Sequence, residues 1–161
     1  WEAFEKAGVK HQIDSYLLLA LARRESGLFA LAKSEVGARG LMQVMPSTGR
    51  SVLQGLGERY GGAASLYQPE TNIPVGSAYF ATLMARFDGN RLQSLAAYNA
   101  GPSRVSRWTN NDMAFDQWVD SIPFSETREY VQAVLAYRVI YRLRAGESAS
   151  LLTAEERQTA Y

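Results

Sequence analysis

Apolar positions along this 161-residue chain recur mainly at helical spacing, and the alternation typical of strands is nearly absent. The first clear helix is predicted over Ser15–Ser26, because Asp14 offers an N-terminal cap and Gly27 a stop. Further helices or helical turns are predicted at residues 46–56, 72–86, 91–99, 103–108, 115–121 and 125–144, with a short tail helix around 153–158. Loops are expected at residues 55–62 and 109–112. The pattern therefore predicts an all-α fold.

Two of the predicted helices carry wide apolar surfaces. The apolar stripe of the helix at 72–86 consists of Gly76, Phe80, Leu83, Met84 and Phe87. The helix predicted from Ser125 to Arg144 has almost no polar face, which is typical of a central, buried helix. Because no internal repeat, linker or break in composition interrupts the chain, we expect residues 1–161 to form a single domain.

Composition narrows the classes of function. The formal net charge of +1 provides no field that would attract nucleic acid or an acidic membrane surface, so neither is an expected partner. No apolar run reaches the roughly 18 residues that a membrane span needs. The chain opens at Trp1, with neither an initiator Met nor a signal peptide, and we interpret it as a mature or excised piece of a longer protein.

The residue inventory also limits the chemistry of a catalytic site. Cysteine is absent, so disulfides, thiolate nucleophiles and zinc–thiolate sites are excluded. His11 is the only histidine and is expected to be an ordinary surface or helix-flanking residue, which leaves no histidine pair for a metal. No serine lies in a Gly-x-Ser-x-Gly elbow. We therefore expect neither a metal nor a cofactor, and carboxylate acid–base chemistry is the remaining option.

Glu25 is the best candidate for that chemistry. It follows Leu18, Leu21 and Ala22 at helical spacing, so its carboxyl group is placed on the face that the leucines would bury. Burial disfavours the charged form and would raise the pKa of Glu25, which suits a proton donor. The alternative, that Glu25 turns to solvent or pairs with a neighbouring arginine, stays open on spacing alone.

Three further polar positions occur in segments with unusual local sequence. Gln43 stands between methionines in "GARGLMQVMPST", where a turn could present it to a ligand, although the glycines could serve the turn alone. Tyr98 and Asn99 precede Gly101 in "AAYNAGPS", an aromatic and an amide that suit sugar binding, although Tyr98 could equally be a core tyrosine. Glu126 falls in the first turn of the last long helix, where the helix dipole favours an acid anyway.

Taken in order, these segments resemble the catalytic domain of the soluble lytic transglycosylases, which belong to the goose-type lysozyme superfamily. The matching segments are "ARRES" at 22–26, "SEVGARGLMQVMPST" at 34–48, "PETNI" at 69–73, "AAYNAGPSRV" at 96–105 and "SIPFSETREYV" at 121–131. The resemblance implies a lysozyme-like fold with a substrate cleft. It also implies a periplasmic protein that carries this domain behind a long helical superhelix.

The resemblance implies a role for each matched residue. Glu25 would be the single catalytic acid and then base, in cleavage of the β-1,4 bond between N-acetylmuramic acid and N-acetylglucosamine with formation of a 1,6-anhydromuramoyl product. The residues expected to bind the glycan strand are Ser34, Gln43, Met45, Tyr98, Asn99 and Glu126. Two alternatives remain: a goose-type lysozyme that hydrolyses the same bond, and a non-catalytic module that binds peptidoglycan.

Overall fold

The computed structural model describes residues 1–108, 113–154 and 156, and within them it is built of helices, with no β-strand. Two isolated antiparallel bridges join Lys33 with Arg39 and Arg39 with Val44. The chain divides into two compact units, residues 1–81 and residues 82–161. That the whole chain acts as one catalytic domain stays a prediction.

The first unit contains three helices and most of a fourth. They are α1 (Glu2–His11), α2 (Ser15–Ser26), α3 (Pro46–Gly55) and α4 (Pro69–Arg86), with a 3-10 turn at Ala63–Tyr67. The bounds of α2 are those predicted: the Asp14 carboxylate accepts from the N–H of Tyr16 at 2.9 Å, and Gly27 ends the helix with a φ of 64°. Helix α4 begins three residues before the predicted Asn72, because Pro69 and Glu70 are both favourable in a first helical turn.

The second unit contains the remaining helices. They are α5 (Arg91–Ala100), α6 (Pro102–Trp108), α7 (Phe115–Ser121) and α8 (Ser125–Arg144). These bounds confirm the prediction to within one residue. The loop predicted at 109–112 lies outside the described residues, as do residues 155, 157 and 158 of the tail helix predicted at 153–158; its described residues, 153, 154 and 156, are not helical. None of the helices described is both long enough and apolar enough to cross a membrane.

The predicted burial of α8 along its whole length is wrong. Its buried residues are Thr127, Tyr130, Val131, Val134 and Leu135. Ile140 and Leu143, further along the helix, are 48% and 56% exposed. The reason is length: the 20 residues of α8 span about 30 Å, whereas its packing partner α5, with 10 residues, spans about 15 Å. The helix therefore extends beyond the surface that covers it.

Candidate active site

Glu25 lies near the C-terminal end of α2, on a helix face that is buried as predicted. Leu18, Leu21 and Ala22 are each fully buried, but Glu25 itself is only half-buried. The expectation that its carboxyl group is enclosed is therefore too strong. Helix α2 ends at Ser26 with Gly27 as its C-cap, and Phe29 beyond it is 60% exposed. Glu25 thus keeps part of its surface exposed while its helix stays anchored in the core.

Ser26 joins this end of α2 to the turn that carries Gln43. Its hydroxyl donates to the carbonyl of Leu41 at 2.8 Å, and the N–H of Leu28 donates back to the hydroxyl oxygen at 3.1 Å. The residue beside Glu25 therefore fixes both the chain that leaves the helix and the next motif. Ser26 is part of the segment "ARRES", and its local sequence predicts no role for it.

Gln43 lies in a tight turn, as predicted, and not in a helix. The backbones of Arg39 and Val44 exchange two hydrogen bonds of 3.0 Å across this turn, and Gln43 adopts a left-handed φ of 46°. The side-chain amide of Gln43 donates to the carbonyls of Gly40, at 2.9 Å, and Ala32, at 3.2 Å. Both N–H groups of this amide are used inside the turn, so its carbonyl oxygen is the atom that remains for a hydrogen bond with a ligand.

Asn72 of α4 binds the same turn through its side chain. The sequence did not predict a role for it. It is fully buried, and its amide makes three hydrogen bonds to backbone groups. The oxygen accepts from the N–H of Met42 at 2.7 Å, and the nitrogen donates to the carbonyls of Arg39, at 2.8 Å, and Leu66, at 2.7 Å. The sequence feature that could have indicated this role is the position of the amide in "PETNI", at the start of an otherwise apolar helix face.

Two glycines allow the turn to approach α4 closely. A Cβ atom at Gly40 would lie 2.2 Å from the carbonyl oxygen of Leu66 and 2.4 Å from Nδ2 of Asn72. A Cβ atom at Gly76 would lie 2.7 Å from both Cβ and Sδ of Met42. Side chains are excluded at both positions, so the turn rests directly on the helix.

Ser34 and Met45 lie on either side of the Gln43 turn. The hydroxyl oxygen of Ser34 accepts from the N–H of Ala38 at 3.0 Å, which closes a small turn while leaving the hydroxyl proton able to donate. Met45 precedes the first residue of α3 and is 38% exposed. Both side chains therefore retain atoms that a ligand can contact.

The remaining predicted site residues belong to the second unit. Tyr98 and Asn99 are half-buried at the end of α5, and Glu126 is exposed in the first turn of α8. Asn99 donates from Nδ2 to Glu126 Oε1 at 3.3 Å and accepts at Oδ1 from the hydroxyl of Thr127 at 2.7 Å. Asn99 and Glu126 thus belong to one hydrogen-bonded group, together with the buried Thr127, for which the sequence predicted no role.

The other end of α5 is held by an ion pair. Arg91 donates to both carboxylate oxygens of Glu156, at 2.5 and 2.6 Å, and to the carbonyl of Leu151. Burial raises the pKa of Glu156, but the hydrogen bonds from Arg91 and Thr153 and the charge of Arg91 outweigh burial and hold that pKa below its usual 4.5. Helix α5 is therefore clamped to the tail at the end opposite Asn99.

Similarity to known families covers nearly the whole chain. Residues 2–121 match the family described as "Transglycosylase SLT domain", and residues 121–149 match the one described as "Soluble lytic transglycosylase helical domain". Together the two matches contain all the helices described above. The second match ends close to the end of α8.

Two curated relatives are similar over the same length. The "Soluble lytic murein transglycosylase" of Escherichia coli K12 is 41% identical over 162 residues, covering 96% of this chain and 25% of the relative. The protein of the same name from Salmonella typhimurium is 43% identical over 156 residues, covering 92% of this chain and 24% of the relative. The chain therefore spans about a quarter of the length of these relatives.

Two solved structures have the same fold. The 70 kDa soluble lytic transglycosylase of Escherichia coli superposes with a TM-score of 0.95 at 39% identity, covering 99% of this chain and 26% of that one. A structure described as an inactive glutamate-to-glutamine mutant of the lytic transglycosylase Slt from Pseudomonas aeruginosa gives a TM-score of 0.91 at 37% identity, covering 97% of this chain and 26% of that one. These likenesses confirm the all-α, lysozyme-like fold class.

Proposed function

Because this chain belongs to the SLT transglycosylase domain family, we propose that it cleaves peptidoglycan as a lytic transglycosylase. The bond cleaved is the β-1,4 bond between N-acetylmuramic acid and N-acetylglucosamine. The observation that carries the proposal is the placement of Glu25: a half-buried carboxylate at the end of a buried helix, beside a serine that holds the Gln43 turn. A relative described as inactive after replacement of a glutamate by glutamine supports the choice of a glutamate.

In the first step, the protonated carboxyl group of Glu25 donates its proton to the glycosidic oxygen. The bond between C1 of the muramoyl residue and that oxygen breaks, and the N-acetylglucosamine leaves as an alcohol. Positive charge develops at C1 and requires protonation of the leaving group to form. The substrate's own N-acetyl group can stabilise that charge, so a second carboxylate is not needed.

In the second step, the same group acts as the base. The ionised Glu25 takes the proton from the C6 hydroxyl of the muramoyl residue, whose oxygen then bonds to C1 and closes a 1,6-anhydro ring. Glu25 ends the cycle protonated, as it began. Partial exposure suits a group that must contact two different oxygens in turn, and a single carboxyl group can serve as both acid and base.

Six residues are proposed to bind the glycan strand, and two of them have an identified polar atom for that role. They are Ser34, Gln43, Met45, Tyr98, Asn99 and Glu126. In Gln43 the available atom is Oε1, which has no partner among the residues that the structure describes. Asn99 uses one N–H on Glu126, and its second N–H remains to be donated.

The rest of the longer chain is proposed to cover the exposed part of α8. Ile140 and Leu143 form an uncovered apolar surface within residues 121–149, which match the helical domain of soluble lytic transglycosylases. We propose that the preceding superhelix of the same protein packs there, and that the protein acts in the periplasm, where its substrate lies.

Purified peptidoglycan and mass spectrometry of the released muropeptides test the function. We expect 1,6-anhydromuramoyl products, and we expect Glu25→Gln to lower their rate of release by about 10²–10⁴-fold. Glu58→Gln, at an exposed position of the same unit, is the matched control and should retain the activity. Hydrated reducing ends would identify a hydrolase instead. Equal activity of Glu25→Gln and the unchanged chain would overturn the assignment of Glu25.

A further inference from the structure

Thr127 combines two properties that rarely occur together in this chain. It is a polar residue that is 98% buried, and its hydroxyl is directed at a residue that is not buried. The hydroxyl donates to Oδ1 of Asn99 at 2.7 Å, one of the shorter side-chain hydrogen bonds of the second unit. A buried hydroxyl is costly unless it is bonded, so this contact fixes the hydroxyl as much as it fixes the amide.

The direction of the contact determines which way the Asn99 amide faces. An amide presents an acceptor at one end and a donor at the other, and rotation by 180° exchanges them. The carboxylate of Glu126 can only accept, so it requires the nitrogen on its side. On the other side the Thr127 hydroxyl donates to the amide oxygen, and because this hydroxyl is buried its proton needs that acceptor. A rotated amide would place its oxygen against the carboxylate of Glu126. Its nitrogen could then donate to the hydroxyl oxygen of Thr127, but the buried hydroxyl proton would lose its acceptor.

The threonine is well suited to hold this orientation. Its branched side chain has few rotamers in a helix, and it is buried although it lies in the first turn of α8. Glu126, by contrast, is exposed and can swing away from Asn99, and the contact between them is long, at 3.3 Å. Of the two partners of Asn99, Thr127 is therefore the one that can fix the amide when Glu126 moves.

We infer that Thr127 is a positioning residue that keeps Nδ2 of Asn99 directed to the side of Glu126. In that orientation an amide N–H and a carboxylate oxygen stand next to each other at the protein surface. Such a pair is complementary to a group with both an acceptor and a donor, for example the hydroxyl and acetamido groups of an amino sugar. The inference rests on the proposed function for the identity of the ligand, but not for the orientation of the amide.

Two substitutions at this position separate the hydroxyl from the shape of the side chain. Thr127→Val keeps the branched shape and removes the donor, whereas Thr127→Ser keeps the donor. Ser94→Ala is the matched control, because Ser94 is fully buried in α5 and its hydroxyl donates only to the backbone carbonyl of Asn90, at 2.7 Å. Thermal unfolding of each variant shows whether the fold is retained.

The first measurement does not depend on the activity. In nitrogen-15 spectra of the chain, we expect the side-chain NH2 signals of Asn99 to shift and to exchange faster with solvent in Thr127→Val. In Thr127→Ser and Ser94→Ala they should match those of the unchanged chain. Unchanged Asn99 signals in a folded Thr127→Val variant would overturn the inference, whether or not the protein cleaves glycan.

The second measurement tests the consequence for the ligand. On purified glycan strands we expect Thr127→Val to raise KM about fivefold, the worth of one hydrogen bond, with kcat changed less than about twofold. Thr127→Ser should restore KM, and Ser94→Ala should leave it unchanged. Altered Asn99 signals with an unchanged KM would overturn the link to substrate binding. A fall in kcat alone would do the same.

Discussion

Two asparagine side chains hold two different regions of this protein, and they do so in opposite ways. Asn72 lies fully buried beneath the Gln43 turn and bonds only to backbone groups. Asn99 lies half-buried at the end of α5 and bonds only to the side chains of Thr127 and Glu126 among the contacts that the structure describes. The Asn72 amide pairs with backbone groups that no helix or sheet satisfies, whereas the Asn99 amide links polar side chains near the surface.

The difference follows from what each region leaves unsatisfied. The turn at residues 38–45 is neither helix nor sheet, so its buried N–H and C=O groups need other partners. Helices α5 and α8 satisfy their own backbones, so the polar side chains between them are available to each other and to a ligand. We therefore expect changes around Asn72 to affect stability, and changes around Asn99 to affect binding.

The largest effect on stability should distinguish the two asparagines directly. Asn72→Ala leaves one N–H and two carbonyls without their partner, and we expect it to lower the free energy of unfolding by about 3 kcal/mol. Asn99→Ala leaves one buried donor, the Thr127 hydroxyl, without its partner, so it should cost less, about 1 kcal/mol. Urea unfolding followed by circular dichroism measures both. Equal losses would contradict the comparison.

Two glycines near the turn test how closely it must rest on α4. Gly40 and Gly37 both have a left-handed φ, of 77° and 94°, but only at Gly40 would an added Cβ meet the Leu66 carbonyl and Asn72. At Gly37, no described atom outside its chain neighbours lies within 4 Å of that Cβ. Gly40→Ala should therefore cost about 2 kcal/mol more than Gly37→Ala in the same unfolding experiment. A difference near zero would show that the turn can move away from the helix.

The second region depends on charge, whereas the Gln43 turn is held by neutral amides. The pKa of Glu156 is lowered in the folded state, so its contribution to stability is present above pH 4.5 and is lost as the pH falls through the folded-state pKa. At pH 7, Glu156→Gln should lower the free energy of unfolding by about 1.5 kcal/mol, and the loss should shrink in acid.

Glu147→Gln is the control for this prediction. Glu147 contacts Arg142 at 2.7 Å, but with 29% and 41% of the two side chains exposed, so its removal should have little effect. A loss at Glu156→Gln that stayed constant down to pH 3 would show that the ion pair does not clamp α5.

The smallest predicted effect concerns His11 at the end of α1. Burial, helped by the charge of Lys10, lowers the pKa of His11 below 6.5. The unfolded chain therefore binds this proton more readily than the folded chain. The free energy of unfolding accordingly rises as the pH increases from the folded-state pKa of His11 towards 6.5, and this gain is fully present above pH 6.5. After solvent screening the effect should be roughly 0.3 kcal/mol or less. Urea unfolding at several pH values measures this dependence, which should disappear in His11→Gln. If the free energy of unfolding of His11→Gln still changed with pH in this range, another group would be responsible.

Local sequence predicted the helices well because their signals are local. The cap at Asp14, the stop at Gly27 and the proline at position 46 lie within a turn of the ends they define. The turn at Gln43 was recognised in the same way, from its flanking glycines. What local sequence could not supply was the partner that holds the turn, because Asn72 lies 30 residues from Met42.

The sequence by itself determined where this chain is helical and which residues carry the motif of a peptidoglycan-cleaving family. Only the tertiary structure decided that Glu25 is half-buried, that α8 is covered along only part of its length, and that buried Asn72 and Thr127 support the predicted site residues. The physical reason is that helix formation depends on neighbours within four residues, whereas burial and hydrogen-bond direction depend on which distant element packs against a side chain.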